Sequence, residues 1–141
     1  MQNILLIKFN HEDAQLPVRS TEESAGYDLH TIEDGNIEPG QTKLFDTGLS
    51  FTVPEGTYGR IAPRSGLSKK GLLVNAGVID RDYTGPVKIM LHNLTNETYI
   101  ISKKDRIAQL ILEKIELSDI KLVDSLVTTD RGEEGFGSTG K

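Results

Sequence analysis

The feature that most constrains this chain is a series of short segments that alternate apolar and polar residues at a period of two, each cut off by turn-forming residues. Leu49, Phe51 and Val53 alternate with Ser50 and Thr52, and Val87, Ile89 and Leu91 alternate with Lys88 and His92. Successive side chains of a strand point to opposite faces, so this pattern predicts half-buried β-strands. Glu38-Pro39-Gly40, Pro54-Glu55-Gly56, Thr84-Gly85-Pro86 and Thr95-Asn96 separate the apolar runs. Proline presets φ and glycine tolerates positive φ, which makes these breaks turns. Many short strands at such spacing predict an all-β sandwich, jelly roll or barrel.

Three stretches read differently. In DRIAQLILEKI (105–115), Ile107, Leu110, Ile111 and Ile115 fall at helical spacing and Asp105 could cap a helix. The same residues fit a strand with Ile107, Gln109 and Ile111 on one face and Ala108, Leu110 and Leu112 on the other. After Pro63-Arg64-Ser65, a helix of one or two turns is predicted through Gly66 to Gly71. From Ser125 the chain turns to Thr, Asp, Arg, Glu and Gly and ends RGEEGFGSTGK, with glycines at 132, 135, 137 and 140. That composition predicts a flexible glycine-rich tail. The 141 residues therefore read as one domain, a β body over 1–124 with a flexible segment over 125–141.

Composition excludes several function classes. There are no cysteines, so no disulfide or thiolate metal site can form, and His11, His30 and His92 share no metal-ligand spacing. The apolar run Ile4–Ile7 is too short for a signal peptide or a bilayer span, which predicts an intracellular protein, cytoplasmic or nuclear, with no membrane partner. A net charge of −5 opposes nucleic-acid binding, so positive charge for an anionic ligand must be local.

Local candidates exist. Arg64, Ser65 and Gly66 set a guanidinium fork, a hydroxyl and an unobstructed amide side by side, a trio suited to phosphate oxygens, to which a short helix would add its positive end. Gly77-Val78-Ile79-Asp80-Arg81-Asp82-Tyr83-Thr84-Gly85 reads as a tight hairpin with acidic and aromatic side chains at its tip. Its backbone could read a base edge while Asp80 and Tyr83 face a sugar. Asp28 stands beside a glycine in Ala25-Gly26-Tyr27-Asp28-Leu29. Gly135 and Gly140-Lys141 have phosphate-loop spacing, but no hydroxyl residue or helix follows within the sequence, so the loop reading fails. Lys69-Lys70 and Lys103-Lys104 read as solvated loop residues.

In order, AGYDL (25–29), APRSGLS (62–68), AGVIDRDYTG (76–85), DRIAQLIL (105–112) and RGEEGFGSTG (131–140) resemble the five motifs of the homotrimeric deoxyuridine triphosphatase family. The resemblance implies a jelly-roll-like (β-clip) subunit with one short helix, and it resolves 105–112 as a strand. It implies hydrolysis of dUTP to dUMP and pyrophosphate, limiting dUTP and supplying dUMP for thymidylate synthesis. It also implies a homotrimer with active sites shared between subunits. Residues Leu122 to Arg131 could extend about 30 Å, enough to carry the tail to a neighbour as a lid.

By the same resemblance Asp80 is the catalytic aspartate that activates water for in-line attack on the α-phosphorus. Tyr83 packs under the deoxyribose and leaves no room for a 2'-hydroxyl, while the backbone of Gly77, Val78 and Ile79 pairs with uracil. Arg64, Ser65, Gly66 and Gln109 contact phosphates, and Arg131 clamps them from the tail. Phe136 stacks on uracil, with Gly137, Ser138 and Thr139 closing on the nucleotide. Asp28 holds water molecules of a substrate-borne Mg2+, with no direct protein ligand implied.

Four positions depart from the family pattern: Glu134 and Lys104 stand where glycines are usual, and Thr84 with Pro86 replaces Arg and Glu. Glu134 is expected to hinder closure of the tail, by its charge and by its Cβ. Two alternatives differ in class. A dCTP deaminase would need a glutamate where Met90 stands, and a thioether cannot transfer the protons. A nucleotide-sensing regulatory protein would keep the pocket and act through partners, with 92–104 or the tail as its contact surface.

Overall fold

The computed structural model describes residues 3–137. It is an antiparallel β structure whose strands follow the turn-punctuated alternation closely. In chain order they are β1 (Leu6–Phe9), β2 (Gly26–His30), β3 (Gly35–Ile37), β4 (Thr42–Thr52) and β5 (Thr57–Ala62). After helix α1 (Ser65–Lys69) come β6 (Leu72–Asn75), β7 (Val78–Ile79), β8 (Val87–Asn93), β9 (Tyr99–Ile101) and β10 (Arg106–Lys114). One sheet has the order β1-β4-β8-β6, the second β2-β10-β5-β7, and β3 pairs with β9. The fold is jelly-roll-like and all-β, with one short helix.

The core lies between the two larger sheets. Leu29, Ile61, Ile107 and Leu110 from one meet Phe45, Leu49, Leu72, Val87, Ile89 and Leu91 from the other, all buried. Each such side chain contributes roughly 1.5–3 kcal/mol on burial, so the stability rests on aliphatic packing. Asn93 is buried at the end of β8 and fully paired: its amide donates to the carbonyls of Ile37 and Glu97, and its oxygen accepts from Thr95. This pins the Leu94–Glu97 turn.

The stretch over 105–115 is a strand. It carries an irregularity between Arg106 and Ala108, which leaves Ile107 and Ala108 both buried instead of alternating. A bulge of this kind explains how helical spacing and a strand coexist: two consecutive residues turn inward. Helix α1 begins at Ser65, one residue earlier than predicted, with Arg64 in extended conformation before it. It ends at Lys69, and Gly71, just past the C-cap Lys70, has a φ of +88° that only glycine adopts without strain.

Lys104 has φ +75°, in the tight turn where Asp105 N–H donates to the Ser102 carbonyl. A β-carbon is unfavourable there, which accounts for the family's usual glycine. Lys104→Gly is expected to stabilise the fold by about 1 kcal/mol, the relieved strain exceeding the entropy added to the unfolded chain. A thermal or urea melt checks this, and an unchanged or lower midpoint refutes it.

After Lys114 no strand or helix is found through residue 137, and the segment is exposed almost throughout. Leu117, Ile120, Leu122, Leu126 and Val127 project apolar side chains that the rest of the chain does not cover.

Candidate functional site

The strands bring the candidate residues together in two groups. Asp28 on β2, Gln109 on β10 and Ala62 on β5 form one cross-strand row, since Gln109 is the register partner of both. Residues sharing a row share a face, so this row carries the Asp28 and Gln109 side chains toward the chain exit at Pro63 and Arg64. There the Asp28 carboxylate, 15% exposed, pairs with Arg64 through Oδ1 (3.3 Å) and with Arg106 through Oδ2 (3.4 Å). Gln109 Nε2 donates to the Pro63 carbonyl (2.9 Å), and Arg64 Nη1 to the Arg106 carbonyl (3.1 Å).

Ser65 and Gly66 open α1 beside this group. A β-carbon at Gly66 would meet nothing within 4 Å, so packing inside the chain gives no reason for glycine there. Gly26 is the opposite case: its β-carbon would lie 1.9 Å from Gln109 Oε1. Sequence reasoning missed both this role of Gly26 and the contact of Arg106 with Asp28. The signal for Arg106 lay in its place at the start of β10, though only the strand register reveals it. His30 lies across from Arg106, and its Nδ1 is buried without a hydrogen-bond partner. Burial pushes its pKa below the ordinary imidazole value against the pull of Asp28, with Arg106 and Arg64 adding to the lowering. His30 is therefore neutral near pH 7.

The second group is Val78, Ile79, Asp80 and Tyr83, which with Pro86, Val87 and Lys88 line an open cavity of about 490 Å³. The segment is not the tight hairpin that its sequence suggests. Strand β7 pairs with β5 in one sheet while β8 pairs with β4 and β6 in the other, so residues 80–86 cross between sheets. The reason is backbone geometry at the start of the segment: Ala76 has φ +57° and Gly77 φ +104°, which swings the chain off β6 and onto β5. The Gly77 carbonyl accepts from Ile61 N–H (2.7 Å), and a β-carbon at 77 would lie 2.5 Å from the Ile61 carbonyl oxygen. Asp80 begins a turn closed by Tyr83 N–H to its carbonyl (3.1 Å). Tyr83 Oη donates to the Pro86 carbonyl (2.6 Å), which fixes the ring at the cavity wall.

The two groups lie far apart within one chain. Ile79 pairs with Gly59, so Asp80 falls level with Tyr58 at one end of β5, and both line a common cavity. Arg64 follows the other end. At about 3.3 Å per residue, Tyr58 to Ala62 spans about 13 Å of β5, and Arg64 follows two residues beyond, so Asp80 and Arg64 stand at opposite ends of the strand.

In the tail, Arg131 Nε donates to the Glu134 carbonyl (2.7 Å) and Glu134 N–H to the Arg131 carbonyl, closing a turn. Positive φ falls on Gly132, Phe136 and Gly137 and not on Glu134, so the β-carbon at 134 meets no backbone objection in this conformation. Phe136 is fully exposed, and the hydrogen bonds of Arg131 stay within the tail. Ser138 and Thr139 lie outside the described residues.

A protein-family model described as dUTPase matches residues 12–140. The deoxyuridine 5'-triphosphate nucleotidohydrolase of Kluyveromyces lactis is 50% identical over the whole of this chain and 97% of its own length. Among solved structures, the dUTPase of Staphylococcus bacteriophage 80alpha with dUPNHPP is 30% identical, with a TM-score of 0.92 and 99% of each chain covered. A mutant dUTPase from phage phi11 of S. aureus, described with a structural Mg(II) ion, is 27% identical with a TM-score of 0.84, covering 89% of this chain and 100% of that one. With the family match running from residue 12, just after β1, into the tail and the likeness to a curated member extending end to end, the chain belongs to the dUTPase family.

Proposed function

We propose that this chain hydrolyses dUTP to dUMP and pyrophosphate in a homotrimer, each active site taking the Asp80 loop from one subunit and the Arg64 group from the next. The observation that carries the shared site is the placement of the two groups at opposite ends of β5, each incomplete alone. The uncovered aliphatic side chains of 117–127 support further contact with neighbouring copies, because exposed apolar runs of this kind mark association surfaces.

In this reading uracil lies against the backbone of Gly77, Val78 and Ile79. Cytosine would leave its own and the protein's polar groups mispaired, and thymine's methyl has no space. Tyr83, tied down through its hydroxyl, presents its ring to the deoxyribose and excludes a 2'-hydroxyl. Arg64, Ser65, Gly66 and Gln109 hold phosphate oxygens, and Arg131 with Phe136, Gly137, Ser138 and Thr139 closes over the nucleotide from a tail. Asp80 orients a water and takes its proton as the oxygen attacks the α-phosphorus. The bond from that phosphorus to the bridging oxygen breaks, and pyrophosphate leaves with the electron pair. Positioning matters as much as basicity, since a carboxylate is a weak base at neutral pH.

Mg2+ fits this site as a substrate-borne ion. Among the described residues no group of three or more acidic or histidine side chains converges to cage a metal, while the single Asp28 carboxylate can accept hydrogen bonds from metal-bound water. The ion would supply charge neutralisation on the phosphates. The product dUMP would serve thymidylate synthesis.

The test is pyrophosphate release from dUTP, dCTP, dTTP and UTP with Mg2+ present. The expected kcat/KM for dUTP exceeds that for the others by about 100-fold or more; comparable rates on all four would overturn the specificity. Gly26→Ala tests the phosphate group separately. Its methyl displaces Gln109 from the Pro63 carbonyl, and KM for dUTP is expected to rise about tenfold with the fold retained. An unchanged KM would remove Gln109 from the phosphate site.

A further inference from the structure

We propose that Arg106 is a positioning residue that holds Asp28 when Arg64 turns from Asp28 to the triphosphate, an inference that rests on the proposed dUTP site. Both arginines are engaged by one carboxylate. Arg64 Nε pairs with Oδ1 and Arg106 Nη1 with Oδ2, and among the described residues these are the ion pairs of Asp28. Arg64 sets its Nε against Oδ1 and donates from Nη1 to the Arg106 carbonyl, so the face of its fork that includes Nε is open to a phosphate only once the pairing with Oδ1 is released. If it left alone, it would strand a carboxylate that is largely covered, and an uncompensated covered charge is costly.

Arg106 removes that cost because it occupies the other oxygen and need not move. Its placement has a structural cause. The bulge between Arg106 and Ala108 turns Ile107 into the core and re-aims Arg106, whose register partner is His30, two residues along β2 to Asp28. Arg64 is also seated on Arg106 through the hydrogen bond from Nη1 to the Arg106 carbonyl, so one residue supports both halves of the exchange. Arg106 therefore sets how readily Arg64 is released to substrate, acting through Asp28 and not on the reacting atoms.

The experiment measures binding of a non-hydrolysable dUTP analogue by calorimetry, and KM and kcat for dUTP, in Arg106→Gln with and without Asp28→Asn. Arg106→Gln alone is expected to weaken analogue binding and raise KM about tenfold, with kcat within about threefold. In the Asp28→Asn background no charge is left to strand, and the same substitution should change binding less than about twofold. Arg106→Lys, which keeps the charge, should restore binding to within about threefold. Arg106→Met, which also removes the charge, carries the comparison in both backgrounds if glutamine at this position prevents folding. Equal effects of Arg106→Gln in the two backgrounds would mean direct contact with substrate and would overturn the proposal, as would no effect in the native background. Absence of dUTP turnover in the unaltered protein would instead overturn the reading beneath it.

Discussion

Asp80→Asn is expected to lower kcat for dUTP by about 10³-fold while the affinity for a non-hydrolysable analogue stays within about threefold. Asparagine keeps the size of the side chain and the turn that Tyr83 N–H closes on the Asp80 carbonyl, because that hydrogen bond uses backbone alone. What is lost is the acceptor that orients water and takes its proton. Neither the backbone proposed to read uracil nor the ring of Tyr83 depends on the carboxylate, so binding should survive. Single-turnover kinetics with calorimetry on the analogue decide the matter. A parallel loss of binding would make Asp80 a structural or substrate-holding residue, and retained turnover would remove it from the chemistry.

Mixing two inactive variants should restore activity. Arg64→Ala removes the phosphate group at one end of β5 and Asp80→Asn the base at the other, and each alone is expected to leave a few per cent of turnover or less. If the site draws these residues from different subunits, random reassembly of an equal mixture gives intact pairs in about a quarter of sites, the product of two halves. Activity should climb to about that fraction after co-refolding, and stay near zero when the variants are combined without subunit exchange. A site built within one chain predicts no recovery at all, so the outcome discriminates without a structure of the assembly.

Much of the body was legible in the sequence because burial on one face of a strand writes itself as alternation. Val87, Ile89 and Leu91 are buried as their period predicts with Lys88 exposed between them, whereas at 49–53 Ser50 is buried along with Leu49, Phe51 and Val53. The reading blurred wherever backbone geometry overrides the period. At 105–115 the bulge puts Ile107 and Ala108 inward together, and periodicity alone could not choose between helix and strand. At 77–85 the apolar ends resemble a hairpin, yet the positive φ at Ala76 and Gly77 sends β7 to the other sheet.

The candidate site was legible as residue types and not as an arrangement. Motif order brought Asp28, Arg64, Asp80 and Gln109 to attention, but only register shows that three of them gather at one end of β5 while Asp80 lies at the other. Arg106 escaped because its contact with Asp28 is long-range in sequence. The role of Gly26 escaped because an absent side chain carries no chemical label. Lys104 is the converse: its departure from glycine was visible in the sequence, and the left-handed turn supplies the physical reason it matters.

Strand β5 gives the proposed assembly an unusual accounting of loss. In that assembly its two ends would serve different active sites, so each subunit would stand in series between two neighbours and own no site outright. Removing or unfolding one copy would disable both sites it borders, together with whichever site its tail covers. Activity should therefore fall faster than the concentration of folded chain when the protein is diluted, and a partly damaged population should be worse than its average member.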